Sequence, residues 1–199
     1  MKTLRNRVPH LVAFALLLLG MMTGATAQAQ AAPQQVTASR TICSNEPVPT
    51  GWVITHSSGS RNCPSTRVEY SISDSSGQTY FDVCSFSPIP AGWAVTGSYS
   101  GSRTCAGSGV DYTIRNTAGL TTAWPCSFSP IPTGWVVTSA RSSTTCAGSG
   151  VEYTIENITN KTSAVVCSYS PRPAGWVVTG SSNSNVCVGT SYVLSISRT

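Results

Sequence analysis

Cys84-Ser-Phe-Ser-Pro-Ile-Pro-Ala-Gly-Trp93 is one of four near-copies of a single stretch; the others run from Cys43 to Trp52, Cys126 to Trp135 and Cys167 to Trp176. Each reads Cys-Ser-x-x-Pro-x-Pro-x-Gly-Trp, and its cysteine and tryptophan recur at intervals of 41, 42 and 41 residues. A fixed period in this range marks a tandem architecture. Within each copy Pro-x-Pro holds the backbone extended. The second proline suits position i+1 of a type I turn, with Gly51, Gly92, Gly134 or Gly175 at i+3. The chain then enters a β-branched strand: Trp52-Val-Ile-Thr55, Trp93-Ala-Val-Thr96, Trp135-Val-Val-Thr138 and Trp176-Val-Val-Thr179.

Outward from this stretch the pattern stays regular. A serine- and glycine-rich segment follows each strand, for example residues 56–62 and 139–145, and reads as an exposed loop. After a second cysteine come Val68-Glu-Tyr-Ser-Ile72, Val110-Asp-Tyr-Thr-Ile114, Val151-Glu-Tyr-Thr-Ile155 and Tyr192-Val-Leu-Ser-Ile196. Their period-two alternation is that of half-buried strands. Turn-forming residues and another extended segment lead to the next unit's first cysteine, so hairpins are expected to straddle the unit boundaries. That reading leaves residues 36–44 and 192–199 as unpaired terminal strands. The expected fold is all-β: four tandem disulfide-stapled units spanning residues 36–83, 84–125, 126–166 and 167–199, arranged as a linear array or as a ring closed by the N- and C-terminal strands. Pro125, where the other units carry Ile42, Val83 and Val166, lacks a donor and predicts an edge strand.

The eight cysteines all follow residue 42, at regular spacing. If each unit is one structural copy, the pairs are Cys43–Cys63, Cys84–Cys105, Cys126–Cys146 and Cys167–Cys187; pairing between units is the periodic alternative. No Cys-x-x-Cys occurs, so neither a metal nor another cofactor is expected. A unit of about 41 residues lies near the size at which a chain needs such staples to fold.

Residues 1–31 read as a signal peptide and cleavage region, with Lys2, Arg5 and Arg7 ahead of an apolar run over residues 11–22 and small residues at 25–31. Residues 32–35 read as a linker. The run is shorter than the ~20 residues of a membrane-spanning helix, so no stable span is expected after cleavage. The expected location is secreted: extracellular, cell-surface or periplasmic. Beyond residue 31, nine basic residues face seven acids, a formal charge of +2 against +5 for the whole chain. No basic run or stripe remains, which argues against nucleic acid as a partner.

Candidate functional residues are few. Trp52, Trp93, Trp135 and Trp176 suit either a sugar-stacking platform or the core of each unit, and the core is favoured because these units have few other large apolar residues. Trp124 stands alone at the position of Thr41, Asp82 and Val165, and Tyr99 lies in the second unit's serine segment; both are candidate ligand-binding aromatics. Arg61, Arg103 and Arg141 precede the second cysteine of three units and are further ligand-binding candidates, or the contact residues of a protease inhibitor. Glu69, Asp111 and Glu152 recur but fall on separate units, where a paired-carboxylate mechanism cannot use them; they read as a solvated strand face. His56 is the sole imidazole after residue 10. Asn157-Ile-Thr159 and Asn160-Lys-Thr162 match the glycosylation sequon. The expected function is non-catalytic binding of a polysaccharide, another cell-envelope component or a cell-surface protein. The alternatives are a structural surface or adhesin-type protein, a protease inhibitor, and an enzyme.

Overall fold

A computed structural model describes residues 37–101 and 103–199. The signal-peptide and linker readings, with Val36, lie outside the described residues. The described chain is all-β, with four three-stranded antiparallel sheets and one disulfide in each unit. The first sheet comprises β1 (Ser39–Cys43), β2 (Trp52–Gly59) and β3 (Val68–Asp74), in the order β1-β3-β2. The second repeats this with β4 (Tyr80–Cys84), β5 (Trp93–Ser100) and β6 (Val110–Asn116). The third uses β7 (Thr122–Ala123), β8 (Trp135–Ser142) and β9 (Val151–Asn157), and the fourth β10 (Ser163–Cys167), β11 (Trp176–Asn183) and β12 (Tyr192–Arg198). Among the described residues no helix is long and apolar enough to cross a membrane.

The expected boundary-straddling hairpins do not form. The pre-cysteine strand pairs forward with the alternating strand of its own unit, β1 with β3, β4 with β6, β7 with β9 and β10 with β12. The alternating strand is therefore central, flanked on both edges. Asp74, Asn116 and Asn157 do form the turns that the sequence indicates, each accepting from the N–H two residues on at 2.9 to 3.0 Å, but these turns pass the chain to the next sheet. Because every pre-cysteine strand finds its partner within its own sheet, no unpaired strands are left at the termini. β1 pairs with β3 and β12 with β10 and β11, so the ring alternative is replaced by a repeat array.

The corner before each tryptophan also differs in detail. Trp52 N–H donates to Pro49 O at 3.0 Å, which makes proline the first residue of the turn and Gly51, at φ 79°, the third. Positive φ at i+2 is what a type II turn requires, so glycine sits there and not at i+3. The same Pro-to-Trp bond closes the other three corners. The strand that follows extends past Thr55, Thr96, Thr138 and Thr179 to eight residues in each unit, which takes in much of the expected serine loop. A β-bulge falls at each of these threonines, whose hydroxyl donates to a carbonyl of the central strand at 3.2 to 3.4 Å.

The disulfides pair as the within-unit assignment expects, closing loops of 20, 21, 20 and 20 residues. Each such loop is worth about 3 kcal/mol in the chain-entropy model. The cores, however, are shared between units. Ile42, Ile54 and Ile72 of the first unit pack against Cys84 and Cys105 of the second, and Trp135, Val137 and Ile155 of the third against Cys167 and Cys187 of the fourth. Val53 likewise belongs to the cluster of Val83, Trp93 and Ile114. Trp93 and Trp135 are buried, while Trp52 and Trp176 are half-buried, Trp52 beneath the Arg40 guanidinium at 5.2 Å.

Three contacts recur at every joint. Ser87, Ser129 and Ser170, three residues after the first cysteine, accept through Oγ from the N–H of Ile54, Val95 and Val137 in the preceding unit, each at 2.8 Å. Phe86, Phe128 and Tyr169, one residue earlier, pack on Tyr70, Tyr112 and Tyr153 with ring centroids 5.4, 5.2 and 5.5 Å apart. The second cysteine's segment forms a parallel bridge to the end of the preceding tryptophan strand, at Ser57–Cys105, Ser98–Cys146 and Ala140–Cys187.

Candidate binding cleft

Pro125 decides where a site opens. β4 packs along β2 and β10 along β8, but β7 stops after two residues and does not reach β5. The missing donor at Pro125 ends the ladder, although its carbonyl still accepts from Tyr153 N–H at 2.8 Å. β7 is an edge strand, as are the other pre-cysteine strands. Between the second and third sheets this leaves a cleft of about 560 Å³. Its floor comes from Ala94, Thr96, Thr113 and Arg115, and Tyr99 borders it; the facing wall carries Leu120, Trp124 and Glu152.

The two aromatics singled out from sequence thus meet in one place. Trp124 is 53 % exposed and Tyr99 55 %, unusual values for side chains of this size facing a common hollow. Tyr99 lies across Gly97: a Cβ at that position meets the Tyr99 hydroxyl at 3.3 Å and ring carbon Cε2 at 3.4 Å. Glycine there makes room for the ring; the equivalent positions hold His56, Ser139 and Gly180.

Charge completes the cleft. Glu152 is buried, accepting from Arg141 Nε at 2.8 Å and lying 2.6 Å from its Nη2, so its charge is balanced from outside the cleft. Arg115 is exposed and its side chain makes no hydrogen bond or ion pair among the described residues. At the next joint its position is Glu156 and that of Leu120 is Lys161, and these two form an ion pair with each other. With leucine in place of that lysine, the Arg115 guanidinium shares the cleft with Glu152, whose carboxylate is already held by Arg141.

The remaining residues singled out from sequence fall elsewhere. Arg61 and Arg103 lie in exposed loops of the first and second units, outside the cleft. Arg141 is on strand β8, in register with Glu152, and not in a loop. It lines a second hollow with residues 142–145, sharing Thr145 and Glu152 with the first. The recurring acids do not form a solvated face. Glu69 accepts from Ser60 Oγ at 3.1 Å and Asp111 from Thr104 Oγ1 at 3.0 Å, each half-buried and bracing its neighbouring loop. Cys84, Cys105 and Asp111 cluster closely enough to suggest metal ligands, but the two sulfurs are bonded to each other and offer no thiolate.

Sequence reasoning passed over Arg115 and Leu120, and read Glu152 only as one of the recurring acids of a solvated strand face. Leu120 carried a signal, an apolar residue in a turn where the other copies have Gln78 and Lys161. Arg115 carried one too, standing where the copies have Ser73, Glu156 and Ser197. Tyr99, Arg115, Leu120 and Trp124 are thus cleft positions at which one unit departs from its copies. Comparison with protein-family models, with curated proteins and with solved structures finds no match.

Proposed function

We propose that the protein is a non-catalytic binding protein that holds a saccharide of a cell envelope or surface polysaccharide in the cleft between its second and third units. The observation that carries this reading is the pairing of Trp124 and Tyr99, two exposed aromatic faces on one hollow beside hydroxyl groups and a guanidinium. Flat apolar faces take the C–H side of a pyranose ring, while the hydroxyl oxygens of Thr96 and Thr113, whose protons go to Thr113 O and Asp82 Oδ1, offer acceptors to sugar hydroxyls. Arg115 takes a carboxylate on the sugar by a charge-assisted bidentate contact. Glu152, already engaged by Arg141, acts as a fixed acceptor. Four intramolecular disulfides suit an oxidising, extracellular-type environment, and secretion by the N-terminal segment accords with that.

Binding to a panel of neutral and uronic-acid polysaccharides, followed by affinity electrophoresis or calorimetry, tests this. Trp124→Ala and Tyr99→Ala are each expected to weaken binding by ~10-fold or more, about 1.4 kcal/mol. Arg115→Ala is expected to weaken acidic ligands selectively. Binding indifferent to Trp124→Ala would end the proposal. Turnover in a hydrolase screen that His56→Ala abolishes would reassign the protein as an enzyme.

A further inference from the structure

The fourth unit presents to solvent the surface that every other unit buries. Val53 and Ile54, Ala94 and Val95, and Val136 and Val137 are all 2 % exposed or less, because the following unit covers them. Their counterparts Val177 and Val178 are 44 % and 41 % exposed. The N–H of Val178 occupies the position at which Ile54, Val95 and Val137 each donate to a serine, and it has no such acceptor among the described residues. Ser181, the counterpart of Ser57, Ser98 and Ala140, likewise lacks the parallel bridge that those residues make. Leu194 stands where the other backs carry Tyr70, Tyr112 and Tyr153.

What covers such a back is shown three times in the chain: a unit front bearing an aromatic residue, a serine two and three positions after its first cysteine, and a second-cysteine segment alongside. The first unit's own front does not match. It reads Cys43-Ser-Asn-Glu46, and the Glu46 carboxylate accepts from Cys43 N–H at 3.0 Å. Seating that front on Val177 and Val178 buries a carboxylate against apolar side chains, which is strongly unfavourable.

We propose that the back of the fourth unit is a docking surface for a further β unit of this same type carried on a second polypeptide, one whose front reads Cys-Ser-Phe/Tyr-Ser-Pro. The serine hydroxyl accepts from Val178 N–H, the aromatic ring covers Leu194, and the valines become buried as at the internal joints. Asn45 and Glu46 bar a second copy of this chain from the same place, so the chain does not polymerise with itself.

The test uses the chain itself as both surface and probe. The probe carries N45F and E46S, which give it a matching front, with V177K and V178K, which close its back. Mixed with the wild-type chain at tens of micromolar, it is expected to give a one-to-one complex in sedimentation velocity, and none when the wild-type chain carries V178K. The chain with N45F and E46S alone is expected to assemble into lengthening head-to-tail oligomers. Wild-type chain alone is expected to stay monomeric. Folded probe that leaves the mixture monomeric, or an N45F/E46S chain that remains monomeric, overturns the docking surface. Head-to-tail assembly of the wild type overturns the role of Asn45 and Glu46.

Discussion

Ser129 shows how much of this fold rests on single polar atoms placed between units. Its Oγ accepts from the buried Val95 N–H at 2.8 Å and donates to Pro130 O at 3.1 Å. Alanine there leaves a backbone donor buried without a partner, at a cost of ~1–3 kcal/mol. Denaturant unfolding of Ser129→Ala is expected to show a loss of that size, while Ser44→Ala, one residue after its cysteine and not at the position that bonds to another unit, stays within ~0.5 kcal/mol of wild type. The role of Ser129 was hidden in the sequence for a physical reason. Cys-Ser-x-Ser reads as part of a local corner, and nothing in its composition shows that its acceptor serves a strand some 34 positions earlier. Gly51 was legible as a turn residue, but its place in the turn depends on which carbonyl Trp52 N–H reaches.

Among the elements, the joint between the third and fourth units differs in being closed by two tyrosines. Burial, with a smaller contribution from the neighbouring Tyr153, pushes the Tyr169 phenol up to about 12, and burial raises Tyr153 as well. The folded state therefore holds these protons more tightly than the unfolded chain does. Between about pH 10 and 12 the unfolded state releases them first, so stability present below pH 10 is lost as pH rises. Phe86 and Phe128 at the other joints cannot ionise. Alkaline titration followed by circular dichroism is expected to show an unfolding step in this window that Tyr169→Phe moves upward in pH. Each strand was legible from alternation and β-branching, yet the hairpins were misassigned. An Asx turn such as Asp74 to Ser76 looks the same whether its flanking strands pair or part. What separates them is the register of β1 on β3, with Cys43 opposite Glu69, a non-local pairing that no sequence window contains.

For the whole molecule, shared cores make the four disulfides unequal. Cys84, Cys126 and Cys167 are fully buried under a preceding unit, whereas Cys43 is half-exposed. Thiol–disulfide exchange needs access to sulfur. Limited reduction followed by alkylation and mass spectrometry is expected to open Cys43–Cys63 well before the other three, which follow only as the array unfolds. Simultaneous cleavage of all four would contradict this ordering. The site was half legible at this scale. Trp124 and Tyr99 stood out as residues without counterparts in other units, but their meeting in one cleft depends on β7 ending at Pro125. Arg115 and Leu120 gain their meaning from the Glu156–Lys161 pair that replaces them one joint later.

The front of the first unit also bears on how such a chain can lengthen by duplication. A second copy of residues 80–121 inserted after itself meets a matching back before it and a matching front after it, since Ser87 and Phe86 face Val95 and Tyr112 again. A second copy of residues 39–79 instead sets Asn45 and Glu46 inside a joint. The number of internal units is therefore free to vary over evolutionary time, while the identity of the leading one is held.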